Sequence, residues 1–469
     1  MNVSSLNERY RVMTEAPIPR LVMRLAVPTI VSMVVTALYN VVDAAFVGRL
    51  STEATAGIGI SFAYMTFIQA VGFFFGHGSG NYISRALGAK DFAGASKMAA
   101  VGFLSPMVLG MVAAVTGLLF LPALSRLLGA PPEVEPYACD YLRFIVFATP
   151  FMMSALTLNN QLRLQGNARF AMIGILSGAI LNIILDPLFI FVCGMGVTGA
   201  SVATAVSQLC SWSLLLWGTT RRGNISPLRG IGRLLKRRET HTQMPLGQCY
   251  YEIFRGGLPS LCRQMFNCVS VIVLNYAAAR YAPAGQGAST VAAFAVVSRV
   301  MMFAFSVVLG FCQGFQPVCG FNYGAKKYAR VRQSFLFTVG VSTVFLLVIS
   351  ICGFVFAPQI VSFFRAEDML LVAVGTHTLR WQCVAFPLVG LSTATNMLFQ
   401  NIRMTFKSTL LSICRQGLFF IPAILLLPLS YGLQGVEMAQ AVADFFTFML
   451  AVPFAVDISR KLDVQASNK

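Results

Sequence analysis

Charge is what this 469-residue chain has least of: 11% of its residues are charged, against roughly a quarter in soluble proteins. Acids are the scarcer sign, 17 against 35 Lys and Arg, and there are only 3 His. An ordinary soluble enzyme, a coiled coil and a disordered chain all carry more charge, so these classes are excluded. The chain has no HExxH, no nucleophile elbow and no metal-spaced His set, which leaves enzyme chemistry little to work with. Its 11 Cys form no CxxC pair; Cys193, Cys210, Cys312 and Cys352 sit in apolar runs, as small packing residues do.

What fills the chain instead is apolar: 57% of residues, with a mean hydropathy of +0.72. A membrane-crossing helix needs about 20 apolar residues, because the hydrocarbon core is ~30 Å thick and each residue rises ~1.5 Å. Apolar stretches starting near 25, 55, 99, 137, 170, 197, 256, 288, 335, 369, 408 and 434 give twelve such helices. The fold class is an all-α polytopic membrane protein. Residues 1–24 are charged and no small-residue cleavage site follows the first apolar run, so the N-terminus reads as an uncleaved signal anchor.

The placement of the basic residues explains the net charge of +18. With the first helix running outward, 27 of the 35 Lys and Arg fall in the tails and loops of one side. Only Arg49, Arg126, Arg280 and Arg365 lie opposite, and Arg143, Arg299, Arg380 and Arg415 fall within helices. This is the positive-inside asymmetry and places both termini in the cytoplasm; the basic charge is a topology signal rather than a nucleic-acid footprint.

The chain repeats. Gly88-Ala89-Lys90-Asp91-Phe92-Ala93 recurs 236 residues later as Gly324-Ala325-Lys326-Lys327-Tyr328-Ala329, in the loop after the second helix of each half. Pro28 and Pro259 mark the first helix of each half, and Pro150 and Pro387 the fourth. The expected division is residues 1–222, a solvated basic loop at 223–249, and residues 250–469. Six helices per half is an even number, so the halves share one orientation, a pattern of transporters with a substrate path between them. Gly72, Gly76 and Gly80, and likewise Gly310 and Gly314, are spaced for close helix packing. Gly194-Met195-Gly196-Val197-Thr198-Gly199 follows a membrane helix rather than a strand and reads as a tight turn.

Ionisable groups within hydrocarbon are functional candidates by default. At ~1.5 Å per residue, Asp43 lies roughly 9 Å below the outer surface, Asp186 roughly 12 Å and Thr204 roughly 10 Å. Asn182 shares the helix face of Asp186 one turn deeper. Two carboxylates, an amide and a hydroxyl at one level suit a proton or a small hard cation such as Na+. Two close carboxylates in low dielectric do not easily both ionise, so one would retain a proton. Pro28 and Pro187 supply bends beside this cluster. The second half lacks it; its buried acids are Glu437 and Asp444, with Arg299 or Arg380 as the expected partner of Asp444. His77 reads as a packing residue.

Leu38-Tyr39-Asn40-Val41-Val42-Asp43, the run Asn182 to Ile190 containing Asp186-Pro187, Gly199 to Thr204 and the twin Gly-Ala-Lys loops together resemble the multidrug and toxic compound extrusion (MATE) family, most closely its DinF-like branch. The resemblance covers residues 10 to 460. It implies two six-helix lobes in the cytoplasmic (inner) membrane, working as a monomer. It implies efflux of amphipathic, mostly cationic compounds in exchange for H+ or Na+, with no cofactor. Its coupling-ion site would fall on Asp43, Asn182, Asp186 and Thr204, and its substrate cavity would include Tyr39 and Asn159. Asp444 and Arg299 are further cavity candidates. Other branches carry acids on the seventh and tenth helices, where this chain has Asn267 and an acid-free stretch from Trp381 to Phe406. An alternative within the same superfamily is a lipid-linked saccharide flippase or anionic-metabolite exporter, suggested by Arg299 and Arg380.

Overall fold

The structure, a computed structural model, describes residues 3–47, 52–221, 223–235, 244–283, 286–364 and 368–467. A short helix, α1 (Val3–Glu15), precedes α2 (Ile18–Val47), α3 (Thr52–Gly88) and α4 (Phe92–Leu119). After the short α5 (Leu121–Leu127) come α6 (Glu135–Leu164), α7 (Ala168–Pro187) and α8 (Gly196–Thr220), then the short α9 (Pro227–Leu235). The second half runs α10 (Leu246–Arg280), α11 (Gly287–Gly324), α12 (Tyr328–Val355), the short α13 (Ala357–Ser362), α14 (Met369–Ala385), α15 (Val389–Asn401), α16 (Thr405–Ile413), α17 (Phe420–Tyr431) and α18 (Leu433–Ser467). With α14–α15 and α16–α17 each forming one span, twelve helices among the described residues are long and apolar enough to cross a membrane. They coincide with the twelve expected spans, the largest offset being α10, which starts at Leu246 rather than near 256.

Lipid-facing stripes follow the helical period. On α12, Val344, Leu347, Val348, Ile351 and Val355 are all exposed and lie three or four residues apart. The internal repeat is visible in the backbone: Lys90 and Lys326 adopt left-handed φ of 61° and 60° in the two matching loops. It is visible in side chains too. Asn159 Nδ2 donates to the Ala171 carbonyl at 2.9 Å, and Asn396 Nδ2 to the Ser408 carbonyl at 2.9 Å. Each bond ties the fourth span of its half to the fifth across a sharp loop. The Gly194 to Gly199 segment is a tight turn, with φ of 67° at Gly194 and 58° at Gly196.

The halves meet through α2 against α11 and α3 against α10. The glycine rows serve different faces: Gly72, Gly76 and Gly80 abut Leu156, Asn160 and Leu164 of α6 within the first half, whereas Gly310 and Gly314 abut Ile30 and Ala26 of α2 across the boundary. Near the basic loops one apolar cluster, including Val22, Ala26, Ile83, Ile253 and Phe321, unites both halves. Towards the opposite face each half keeps its own, around Tyr141 and Ile145 in the first and Val297 and Leu379 in the second. The halves are therefore joined at the basic face and separate beyond it.

The segment 223–249 differs from the solvated loop expected there. α9 packs on α4, Ile225 is buried, and the Asn224 side chain accepts from Arg9 Nη1 at 2.8 Å and Asn167 Nδ2 at 3.1 Å. The cause is local: Ile225, Leu228, Ile231 and Leu235 recur at helical spacing among the basic residues, and Ile231 packs against the Phe103 cluster. Residues 236–243, which hold Lys236, Arg237 and Arg238, lie outside the described residues.

Candidate functional site

α7 lies between α2 and α8, and on the α8 side it buries three polar residues. Asn182 and Asp186 are one turn apart on α7, and Thr204 faces them from α8. Asn182 Nδ2 donates to Asp186 Oδ1 at 3.1 Å and to Thr204 Oγ1 at 3.3 Å. Their exposures of 1%, 0% and 0% make the cluster dry. Asn182 Oδ1 is left buried without a hydrogen-bond partner among the described residues. An oxygen without a donor, beside a carboxylate and a hydroxyl, fits a hard cation or a proton-bearing group. The chain does not break at Asp186; past Pro187 it continues as one π-helical turn, Leu188–Val192, a local widening often found at functional sites.

Asp43 falls on α2, which packs against α7, but its side chain lies outside the described residues. Tyr39 is half-buried one turn earlier. Pro28 sits within α2 without interrupting it, and Ser32 Oγ donates to its carbonyl at 2.9 Å. Asn159, expected to line the cavity, is a buried tie between α6 and α7, its amide given to Ala171.

The second half corrects the expectation for Asp444. Its partner is neither Arg299 nor Arg380 but Arg415, through Nε at 2.8 Å and Nη2 at 3.4 Å, with Gln440 Nε2 donating at 3.0 Å. Arg415 is brought there by a second π-helical turn, Cys414–Leu418, which joins α16 to α17. Arg380 instead lies over the Phe354 ring, and Arg299 is exposed and lines neither of the two cavities beside Arg415. Asp444 does line a cavity, of about 310 Å³, with Asn267, Ser270, Gln382, Gln416 and Gln440. An adjoining cavity of about 190 Å³ shares Asn267 and Arg415 and adds Arg263, Gln264 and Gln313.

Sequence reasoning missed a polar layer between the halves. Arg163, counted as a loop residue, is 2% exposed. It donates Nη1 to the Gln313 carbonyl at 2.7 Å and to Gln316 Oε1 at 2.8 Å, and Nη2 to Asn160 Oδ1 at 2.6 Å. His77, read as packing, sits 3.3 Å from Arg163 Nη2 and 3.2 Å from Ser260 Oγ. Closer to the basic face, Glu252 accepts from Arg85 at 3.2 Å and Arg403 at 2.9 Å, and Arg85 donates to the Asn401 carbonyl at 2.6 Å. α1 straps both halves: Arg9 reaches Asn224, while Asn322 and Lys327 donate to the Met13 and Thr14 carbonyls at 3.1 Å each. Burial lowers the Arg9 guanidinium to about 10, so it stays charged at neutral pH. The signal in the sequence was helix length: α3, α10 and α11 overrun a 20-residue span, so "loop" positions such as Arg85 and Glu252 lie on helices.

Comparison with known proteins agrees with this architecture. The sequence profile of the MatE family matches residues 28–188 and 259–426, one stretch in each half. Multidrug export protein MepA of Staphylococcus haemolyticus (strain JCSC1435) is 25% identical over 455 residues, covering 97% of each chain. The protein of that name from Staphylococcus aureus (strain MRSA252) is 23% identical over 465 residues, covering 98% of this chain and 99% of its own. Among solved structures, the outward-facing conformation of a multidrug resistance MATE family transporter of the MOP superfamily superposes with a TM-score of 0.86 at 25% identity, over 96% of this chain and 98% of that one. With matches in both halves and twelve membrane-crossing helices around a polar interface, the chain belongs to the MatE family and is a membrane transporter, not an enzyme.

Proposed function

We propose that this transporter is a secondary active multidrug efflux antiporter, exporting amphipathic, mostly cationic compounds in exchange for H+ or Na+. The observation that carries the coupling site is the buried Asn182–Asp186–Thr204 cluster, to which the proposal adds Asp43 of α2 as a fourth coupling residue. The protein works as a monomer in the inner membrane, with its basic face and both termini in the cytoplasm. The two lobes are residues 1–222 and 250–469. With the basic face in the cytoplasm, lobes joined at that face correspond to an outward-facing conformation.

In that state an ion entering from outside neutralises Asp186. Occupied, the α2–α7 packing around Pro28 and Pro187 changes, the cavity narrows and the compound leaves. Return to the inward-facing state requires the inter-lobe layer around Arg163 and Glu252 to part. Ion and drug bias opposite states through one carboxylate set, which gives the differential affinity that exchange needs. The names of the MepA relatives support the multidrug reading.

The test is export of a cationic dye from cells carrying wild type or Asp186→Asn, with the proton and sodium gradients collapsed separately. Dependence on one gradient, lost in the variant, is the expected result and names the ion. Wild-type export by Asp186→Asn would remove the coupling site. A second reading, export of anionic compounds, loses its original basis in Arg299 and Arg380; Arg263 is the observation that keeps it in view.

A further inference from the structure

Arg263 has no hydrogen bond and no ion pair among the described residues, yet it lines the 190 Å³ cavity from α10. Every other charged side chain lining this cavity or its neighbour is accounted for: Arg415 is held by Asp444, and Asp444 by Arg415 and Gln440. The two cavities thus hold two guanidiniums and one carboxylate, a net excess of one positive charge, and the excess sits on the guanidinium with free donors. The surroundings add to it, since the Arg163 guanidinium, a further cation, lies within electrostatic range of Arg263. An isolated cation in a low-dielectric cavity is costly, and a counter-charge from a ligand relieves that cost. A guanidinium presents its donors as a planar fork that matches a carboxylate, sulfonate or phosphate oxygen pair.

The remaining walls say what such an anion is attached to. Phe73, Phe305, Leu309, Met397 and Leu411 line the same space, and the Arg415 guanidinium already stacks over Phe305 at 4.6 Å. Polar side chains, among them Gln264, Asn267, Gln313 and Gln416, complete the wall, and apolar surface beside fixed polar groups selects amphipathic ligands by orientation.

We propose that the second-half cavity is a substrate subsite in which Arg263 binds the acidic group of an amphipathic compound. The subsite is separate from the Asn182–Asp186–Thr204 cluster, and the proposal rests on the export reading for its biological use. Arg263 sets charge preference, while the aromatic and aliphatic wall holds the body of the compound.

A matched dye pair tests it. Rhodamine 110 carries a carboxylate, and rhodamine 123 is its methyl ester. Binding of each to the purified full chain is measured in nanodiscs of phosphatidylcholine alone, which keeps anionic headgroups out of the cavity. Wild type is expected to prefer rhodamine 110. Arg263→Gln should weaken rhodamine 110 about tenfold, the value of one charge-assisted bond pair, and leave rhodamine 123 unchanged, which also reports that the variant is folded. Arg263→Lys should keep part of the preference, and Asp444→Asn, which frees Arg415, should strengthen rhodamine 110 binding. Equal binding of both dyes by wild type, or an unchanged ratio in Arg263→Gln, overturns the subsite and leaves the multidrug reading standing. Binding of neither dye by wild type overturns both.

Discussion

Arg163 of α6 donates Nη1 to Gln316 Oε1 of α11 at 2.8 Å, joining the two halves through a fully buried guanidinium. Among the described residues no carboxylate pairs with it; its charge is met by the Gln313 carbonyl, Gln316 and Asn160. Removing it leaves several acceptors without donors in a dry layer. Arg163→Met is therefore expected to lower stability by about 3 kcal/mol, read as earlier thermal unfolding in detergent. A variant as stable as wild type would mean that water already fills this layer.

Glu252 is the acid on which the basic face closes, since Arg85 of the first half and Arg403 of the second both reach it. Glu252→Gln leaves Arg85 in a nearly buried site with a weaker partner, at a cost of about 3 kcal/mol to the closed arrangement. The inward-open population should rise. In a cysteine-free background, Ser84→Cys is shielded here by the Pro317 carbonyl and neighbours, and its alkylation should be at least several-fold faster once Glu252 is changed. No change in rate would place the gate elsewhere.

The α1 strap acts on the same equilibrium from outside the bilayer. Arg9, Asn322 and Lys327 bind it to both halves. Deleting residues 3–15 should leave twelve membrane helices inserted yet slow dye export and raise Ser84→Cys labelling. Full export without α1 would reduce it to a passive tail.

Asn159 and Asn396 make the same bond 237 residues apart, so they should respond alike. Asn159→Ala and Asn396→Ala should each cost about 1–3 kcal/mol of stability, because each removes a buried hydrogen bond that ties two helices together. If only Asn159→Ala abolishes transport at equal protein level, its role in the first half exceeds the structural tie.

The sequence alone determined what depends on solvent and local geometry. Twelve spans follow from apolar length against a fixed bilayer thickness, and the repeat from the twin Gly-Ala-Lys loops. Asn182 and Asp186 share a face because one turn separates them, and Thr204 joins them because α8 returns at the same depth. Only the tertiary structure decided pairings between distant helices. Asp444 chose Arg415 over Arg299 because a π-helical turn rotates Arg415 inward, a rotation no residue pattern announced. Arg163, Arg263, His77 and Glu252 looked like loop or packing residues, since a 20-residue window cannot show that helices of 30 to 38 residues carry such groups into the inter-lobe seam. Charge buried between two halves is invisible to hydropathy, which measures each helix against lipid and not against its partner.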